Sequence, residues 1–317
     1  MTRGRKRHVA SLLTSQKSLA TFPPQEIIFA FVPGGIGVND SDVNNKCWTF
    51  VFGLIAGALL DASGAAGLAF DPAGNLFLLG ANPSTIFKFS PDGAVTKFAM
   101  ASLGEDWVGI AIDARGNVFV ATDTENKGNV ITRILKFAPN GKRTIYMANV
   151  ADGQAKALTI DRDGNLFVGV ISVSKPRGPD TIYKLAPDAR RKSVFTTEVE
   201  DPTFFAIDNT GNLYVYQEID GGKICKLARN GREISLVTSR ETYDLACDQA
   251  GNLFVALPHS KEIGKIAPDG TETTFATGAE PWFLAIDKGG NIFALDNGIV
   301  KFSADGKRTP FAANPIN

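Results

Sequence analysis

Histidine and cysteine are scarce in this chain. Among 317 residues there are three cysteines and two histidines. Cys47, Cys225 and Cys247 are odd in number and stand at unrelated positions, so they form neither a disulfide framework nor a zinc spacing. With only His8 and His259 available, general-base chemistry has few candidates. Net charge is also lacking: 33 basic residues face 33 acidic ones, and no global electrostatic partner is implied. The apolar stretch 47–60 has 14 residues, too short for a membrane span, which needs about 20. No helical periodicity, nucleophile elbow, phosphate loop or glycosidase carboxylate pair stands out.

The charge that is present is unevenly placed. Residues 1–25 hold five basic residues and no acid, which leaves 28 basic against 33 acidic residues in the remainder. A mildly acidic body offers phosphates no basic face, so nucleic acid is not an expected partner. Residues 1–46 read as a basic, disordered leader, with a transit-like peptide as the alternative. Stretch 47–60 has the length of a signal peptide's apolar core but begins far from Met1. Export and a cytoplasmic location therefore both stay open.

What the chain has in abundance is repetition. The pattern Asp71-Pro72-Ala73-Gly74-Asn75-Leu76-Phe77 returns from Asp113, Asp161, Asp208, Asp248 and Asp287, at spacings of 42, 48, 47, 40 and 39 residues. Each copy follows a short run of period 2, such as Gly67-Leu68-Ala69-Phe70 or Phe283-Leu284-Ala285-Ile286, as a strand requires. A second run follows Gly-Asn. A third reads Ile-x-Lys and carries Lys88, Lys136, Lys184, Lys226, Lys265 and Lys301. A turn such as Ser90-Pro91-Asp92-Gly93 then leads to a fourth run.

Four antiparallel strands per unit and six units predict an all-β, six-bladed β-propeller, with blades starting near 67, 109, 157, 204, 244 and 283. One domain over 47–317 and a monomer are expected. Within it, 49–53 repeats the fourth-strand pattern, so 47–60 is expected to close the ring by pairing into blade six, beside or instead of 308–312. The Asp-x-x-Gly-Asn segments read as hairpin turns rather than calcium loops, because the later ligands and a distal Glu are missing. The six lysines read as solvated residues with buried stems, not as an anion ring.

The unit Gly-Leu-Ala-Phe-Asp-x-x-Gly-Asn-Leu-Phe resembles that of NHL-repeat propellers. It is similar, too, to the wider group of gluconolactonases (senescence marker protein-like), strictosidine synthase-like proteins and virginiamycin B lyases. The resemblance covers 61–317 and implies the propeller fold. For function it implies a choice among enzymes, binders and sensors.

Candidate site residues lie where the inner strands begin, at the channel mouth. Seven residues before the repeated Asp stand Gly64, Asp106, Gln154, Asp201, Glu241 and Glu280. Two residues later come Ala66, Val108, Lys156, Thr203, Tyr243 and Trp282, with Trp107 and Asp244 beside them. Acids, a lysine and aromatic rings at a concave mouth are what a small-ligand site uses. The loops 122–132 and 171–180, longer than their counterparts, would wall one side.

The resemblance to gluconolactonases implies a divalent cation held by Glu, Asn and Asp, but the aligned inner-strand positions carry no carboxylate or amide here. The resemblance to virginiamycin B lyases implies a Glu-Pro-His motif and a second carboxylate on Mg²⁺. Here Glu280 and Pro281 match, Asp296 falls at the second carboxylate, and Trp282 replaces the histidine base. Tryptophan accepts no proton. His259 remains as a displaced base.

The expected function is thus a binding module for a small molecule or a protein, using the loop face. The alternative is a lactonase, hydrolase or C–O lyase dependent on Ca²⁺ or Mg²⁺, with a divergent site on Glu280, Asp296 and Glu241.

Overall fold

A computed structural model of the chain describes residues 65–315, apart from 81–83, 127, 128, 175, 220, 239 and 240. The 24 strands form six sheets of four antiparallel strands, each from consecutive stretches of chain. Blade one spans 65–100, blade two 107–152, blade three 154–196, blade four 202–238, blade five 245–277 and blade six 283–313. Inner strands neighbour one another around the ring, and Phe283–Ile286 of blade six returns to Ala65–Phe70 of blade one. Arg308–Ala313 fills the fourth place in blade six. The strand expected at 49–53 lies outside the described residues. No helix among the described residues is long and apolar enough to cross a membrane.

Six apolar clusters fill the six seams between blades. Leu76, Phe89 and Leu78 of blade one pack on Phe283, Phe293 and Leu295 of blade six, which closes the ring hydrophobically. At the turn end, Lys288 Nζ donates to the Pro72 carbonyl at 2.7 Å across the same seam. Each sheet buries large residues on both faces, and only stacking against two neighbours can hide them.

The repeated motif proves to be a staple, used six times. In every blade the Asp carboxylate accepts from the backbone N–H of the Asn four residues on through Oδ1, and from that Asn's side-chain amide through Oδ2. The intervening glycine takes the left-handed conformation, as Gly74 does at φ 85°. Both carboxylate oxygens are spent inside the turn, and the hairpin reading follows. The six lysines lie over the motif's aromatic residue, 5.0 to 5.9 Å from the ring centroid, as Lys184 does over Phe167 and Lys226 over Tyr214. Three of them also reach the motif Asp within 4.0 Å. Cation, ring and carboxylate belong to one blade each, so these lysines are blade fasteners.

Blade two departs from its siblings. Residues 122–126 and 129–132 continue the hairpin strands: Val118–Asn126 pairs with Asn129–Phe137 out to Asn126 opposite Asn129. The outer strand Arg143–Asp152 follows it. The other long connection, after Leu166–Ile171, has described residues 172–174 and 176–180 outside strands. Asp180 holds it by accepting from Ser172 N–H at 2.9 Å and pairing with Arg177 at 2.8 Å.

Candidate functional site

The connections from second to third strand and from fourth to first strand share one end of the ring. Side chains from blades two to six gather there. The densest group is in blades five and six. Tyr243, just before the inner strand of blade five, packs edge-on against Trp282 at 5.1 Å between ring centroids and against His259 at 5.3 Å. His259 and Trp282 are 6.4 Å apart, and all three interplanar angles fall between 82° and 87°. The rings thus form a corner of three mutually perpendicular faces, half-buried at Tyr243 and Trp282 and exposed at His259. Edge-to-face packing of this kind is favourable in itself.

Hydrogen bonding orders the corner. The Tyr243 hydroxyl lies 3.1 Å from Glu241 Oε1 and 2.9 Å from His259 Nε2. An ionised carboxylate only accepts, so Tyr243 donates to Glu241 and its oxygen accepts from His259 Nε2–H. His259 is left with Nδ1 as a lone-pair acceptor. Burial, with Glu241 next to it, pushes the Tyr243 hydroxyl well above the ordinary phenol range. Tyr216, beneath, is pushed up to about 12 by burial, with Glu218 and Glu241 adding to it.

A second group stands at blades two to four around Lys156. Burial raises the Asp201 carboxyl; Asp180 adds to this, and Lys156 opposes it. Asp201 takes a left-handed φ of 42°, and its Oδ1 is buried without a hydrogen-bond donor. Glu218 reaches solvent, yet the packing around it raises its carboxyl, with Asp201 and Glu241 contributing. Asp123 is raised by burial while Ala155 N–H at 3.0 Å and Thr132 bind its Oδ1. Lys156 lowers all three acids electrostatically.

Several expected site residues are drawn together here: Lys156, Asp201, Glu241, Tyr243 and Trp282. Others are not. Trp107 is buried in the seam between blades one and two, 2 % exposed and edge-on to Phe137 at 5.2 Å. It is a core residue, because an indole at the first strand position turns its bulk into the seam. Asp106 beside it is exposed. Asp244 turns into the seam between blades five and six, where its Oδ2 accepts from Leu284 N–H at 2.8 Å. Enclosure there pushes its carboxyl up to about 7, against the backbone donors Leu284 and Leu245.

Glu280 and Asp296 each face a cation. Glu280 pairs with Lys261 at 2.7 Å, and Asp296 with Arg308 at 2.9 Å. Among the described residues no three His, Cys, Asp or Glu side chains gather as a metal-ligating group. A hard cation needs several free oxygens, and these two carboxylates are engaged by Lys and Arg. The donor set does not fit Ca²⁺ or Mg²⁺.

Sequence reasoning missed Asp123 and Glu218. Both stand ten residues after the repeated Asp, where the other blades carry Ala81, Ile171, Pro258 and Asn297. Comparison at that offset would have found them. A cavity of about 380 Å³ opens at the opposite end of blades five and six, beside Cys247, Asp248 and Asp287. Its carboxylates are those already spent in the turns, so the mouth is the stronger candidate.

Fold and face together define a six-bladed β-propeller with an acidic, aromatic mouth. No protein-family model matches the chain, and no curated protein matches it. Solved structures share its fold. Virginiamycin B lyase from Staphylococcus aureus is 15 % identical, with a TM-score of 0.57, over 80 % of this chain and 85 % of that one. A gluconolactonase, XC5397 from Xanthomonas campestris, is 17 % identical with a TM-score of 0.58, over 73 % and 82 % of the two chains. The PQQ-bound aldose sugar dehydrogenase of Streptomyces coelicolor is 14 % identical with a TM-score of 0.56, over 77 % and 90 %. At these identities the likeness is one of fold.

Proposed function

We propose that the protein binds a small ligand at the mouth face, over blades four to six. The observation that carries this reading is the corner of Tyr243, His259 and Trp282, with Glu241 ordered against it. Partly open aromatic faces beside fixed polar groups are the composition of ligand sites, whereas rings that serve packing alone sit in the seams, as Trp107 does. Asp201 supports it with a buried oxygen that lacks a donor and a left-handed backbone, a combination retained at functional positions. The test is a thermal-shift screen of small metabolites on the full chain and on Trp282→Leu. A compound that raises the melting temperature of the first and not of the second supports the site. Hits that stabilise both equally place binding elsewhere.

An enzyme reading is favoured by one specific observation, the line Glu241–Tyr243–His259. It fixes the imidazole with Nδ1 free to accept a proton, as a general base requires. On this reading the displaced base is in blade five, one blade from the expected motif at the entry to blade six, and needs no cation at Glu280. Opening of lactones or cyclic esters in the presence of a chelator, lost in His259→Gln, is the expected result. Unchanged turnover in that variant would remove His259 from the chemistry.

A further inference from the structure

The hydrogen-bonding inventory of the mouth is one-sided. Glu241 and Glu218 can only accept when ionised, and the orphan Oδ1 of Asp201 needs a donor. His259 keeps Nδ1 as its acceptor because Nε2–H is taken by Tyr243. Among the described residues the cation shared by Asp123, Asp201 and Glu218 is Lys156; Arg177 is already paired with Asp180, and Thr203 bonds Glu218. Lys261 is bound to Glu280. The aromatic corner adds π faces, which attract positive charge and repel none.

From the ring corner and this inventory we infer that the ligand is an organic cation bearing N–H donors, a primary ammonium joined to an apolar body. The ammonium supplies three donors to an array of acceptors, and the body lies against Trp282. Neutral polyols would need donors from the protein for their own oxygens, and this face has few. Anions would meet the carboxyl groups of Glu241, Glu218 and Asp201, which the shared ammonium of Lys156 only partly offsets. Burial raises the Glu218 carboxyl, and the neighbouring Asp201 and Glu241 add to it; a cationic guest beside the ring corner would relieve that crowding of acids.

The inference rests on the mouth being a ligand site, and the test separates the two. Benzylammonium, its neutral counterpart benzyl alcohol, and D-glucose are titrated into the full chain by isothermal calorimetry, in low and high salt. The same is done with Trp282→Leu and Glu241→Gln, both checked for an unchanged far-ultraviolet spectrum and melt. Benzylammonium should bind saturably, and benzyl alcohol at least about tenfold more weakly. Each variant should lose about fivefold to thirtyfold in affinity, and high salt should weaken the wild type. Glucose binding that depends on Trp282, with no binding of the amine, would keep the site and overturn the cation. Amine binding indifferent to both variants would overturn the placement, and failure of all three probes would overturn both.

Discussion

Replacing Asp244 by asparagine should make the propeller more stable at pH 8 and leave it unchanged at pH 4. Asp244 stands where blades one and two have Gly67 and Gly109, at the point where neighbouring inner strands come closest. Its carboxylate is enclosed there with two backbone N–H donors, Leu284 and Leu245, and its pKa is raised from 3.8 to about 7. Between those values the native protein holds a proton that the unfolded chain has released. The native state therefore binds more protons, and stability falls as pH rises through that window. Above it the whole penalty applies: a shift of about three units corresponds to about 4 kcal/mol. The carboxamide mimics the neutral acid, so Asp244→Asn should recover most of that at pH 8, a rise of about 10 °C in melting temperature for a domain of this size. Urea unfolding of both proteins at half-unit steps from pH 4 to 8.5 gives the difference curve directly. A flat difference, or a variant less stable at pH 8, would refute the claim that the seam holds the acid neutral.

Three other outcomes follow from the same geometry. In Asp208, burial raises the carboxyl, but hydrogen bonds from Thr210 and Asn212 outweigh it and hold the group below the usual range. Asp208→Ala should cost about 1–3 kcal/mol at neutral pH, and the cost should shrink in urea melts as pH falls through that lowered pKa. Gly109 has a φ of 62°, and a Cβ there would lie 3.0 Å from Leu158 Cβ and 3.1 Å from its nitrogen. Gly109→Ala should destabilise by about 1–3 kcal/mol, read as a shift in urea midpoint at constant slope. Lys136→Met keeps the stem over Phe119 and removes the charge, which lies 5.6 Å from the ring. It should cost no more than about 1 kcal/mol by thermal melting.

The blades were legible in the sequence because their physics is local. Asp71 to Phe77 forms its own turn, staples it with Asn75, and sets Phe77 under Lys88; all of this happens within one unit, so six copies announce it. The mouth is not local. Glu218 meets Glu241 and Asp201 only because the ring brings blade edges together, and no spacing along the chain encodes that meeting. Trp107 and Trp282 stand one position apart in the repeat: Trp107 is fully sunk in its seam, whereas Trp282 packs on a seam cluster with one side and keeps the other half-open beside Tyr243 and His259. A one-residue offset also decides Asp244: counted as a mouth acid, it is instead a seam acid, with its oxygen on the next blade's backbone. The same alternation separates the repeated Asp and Lys, which fasten each blade, from the unrepeated residues at the mouth. A group that must appear in every blade is answering a need of every blade. Lys156, Tyr243 and Trp282 occupy one repeat position with three different chemistries, so no need common to all blades sets the residue there.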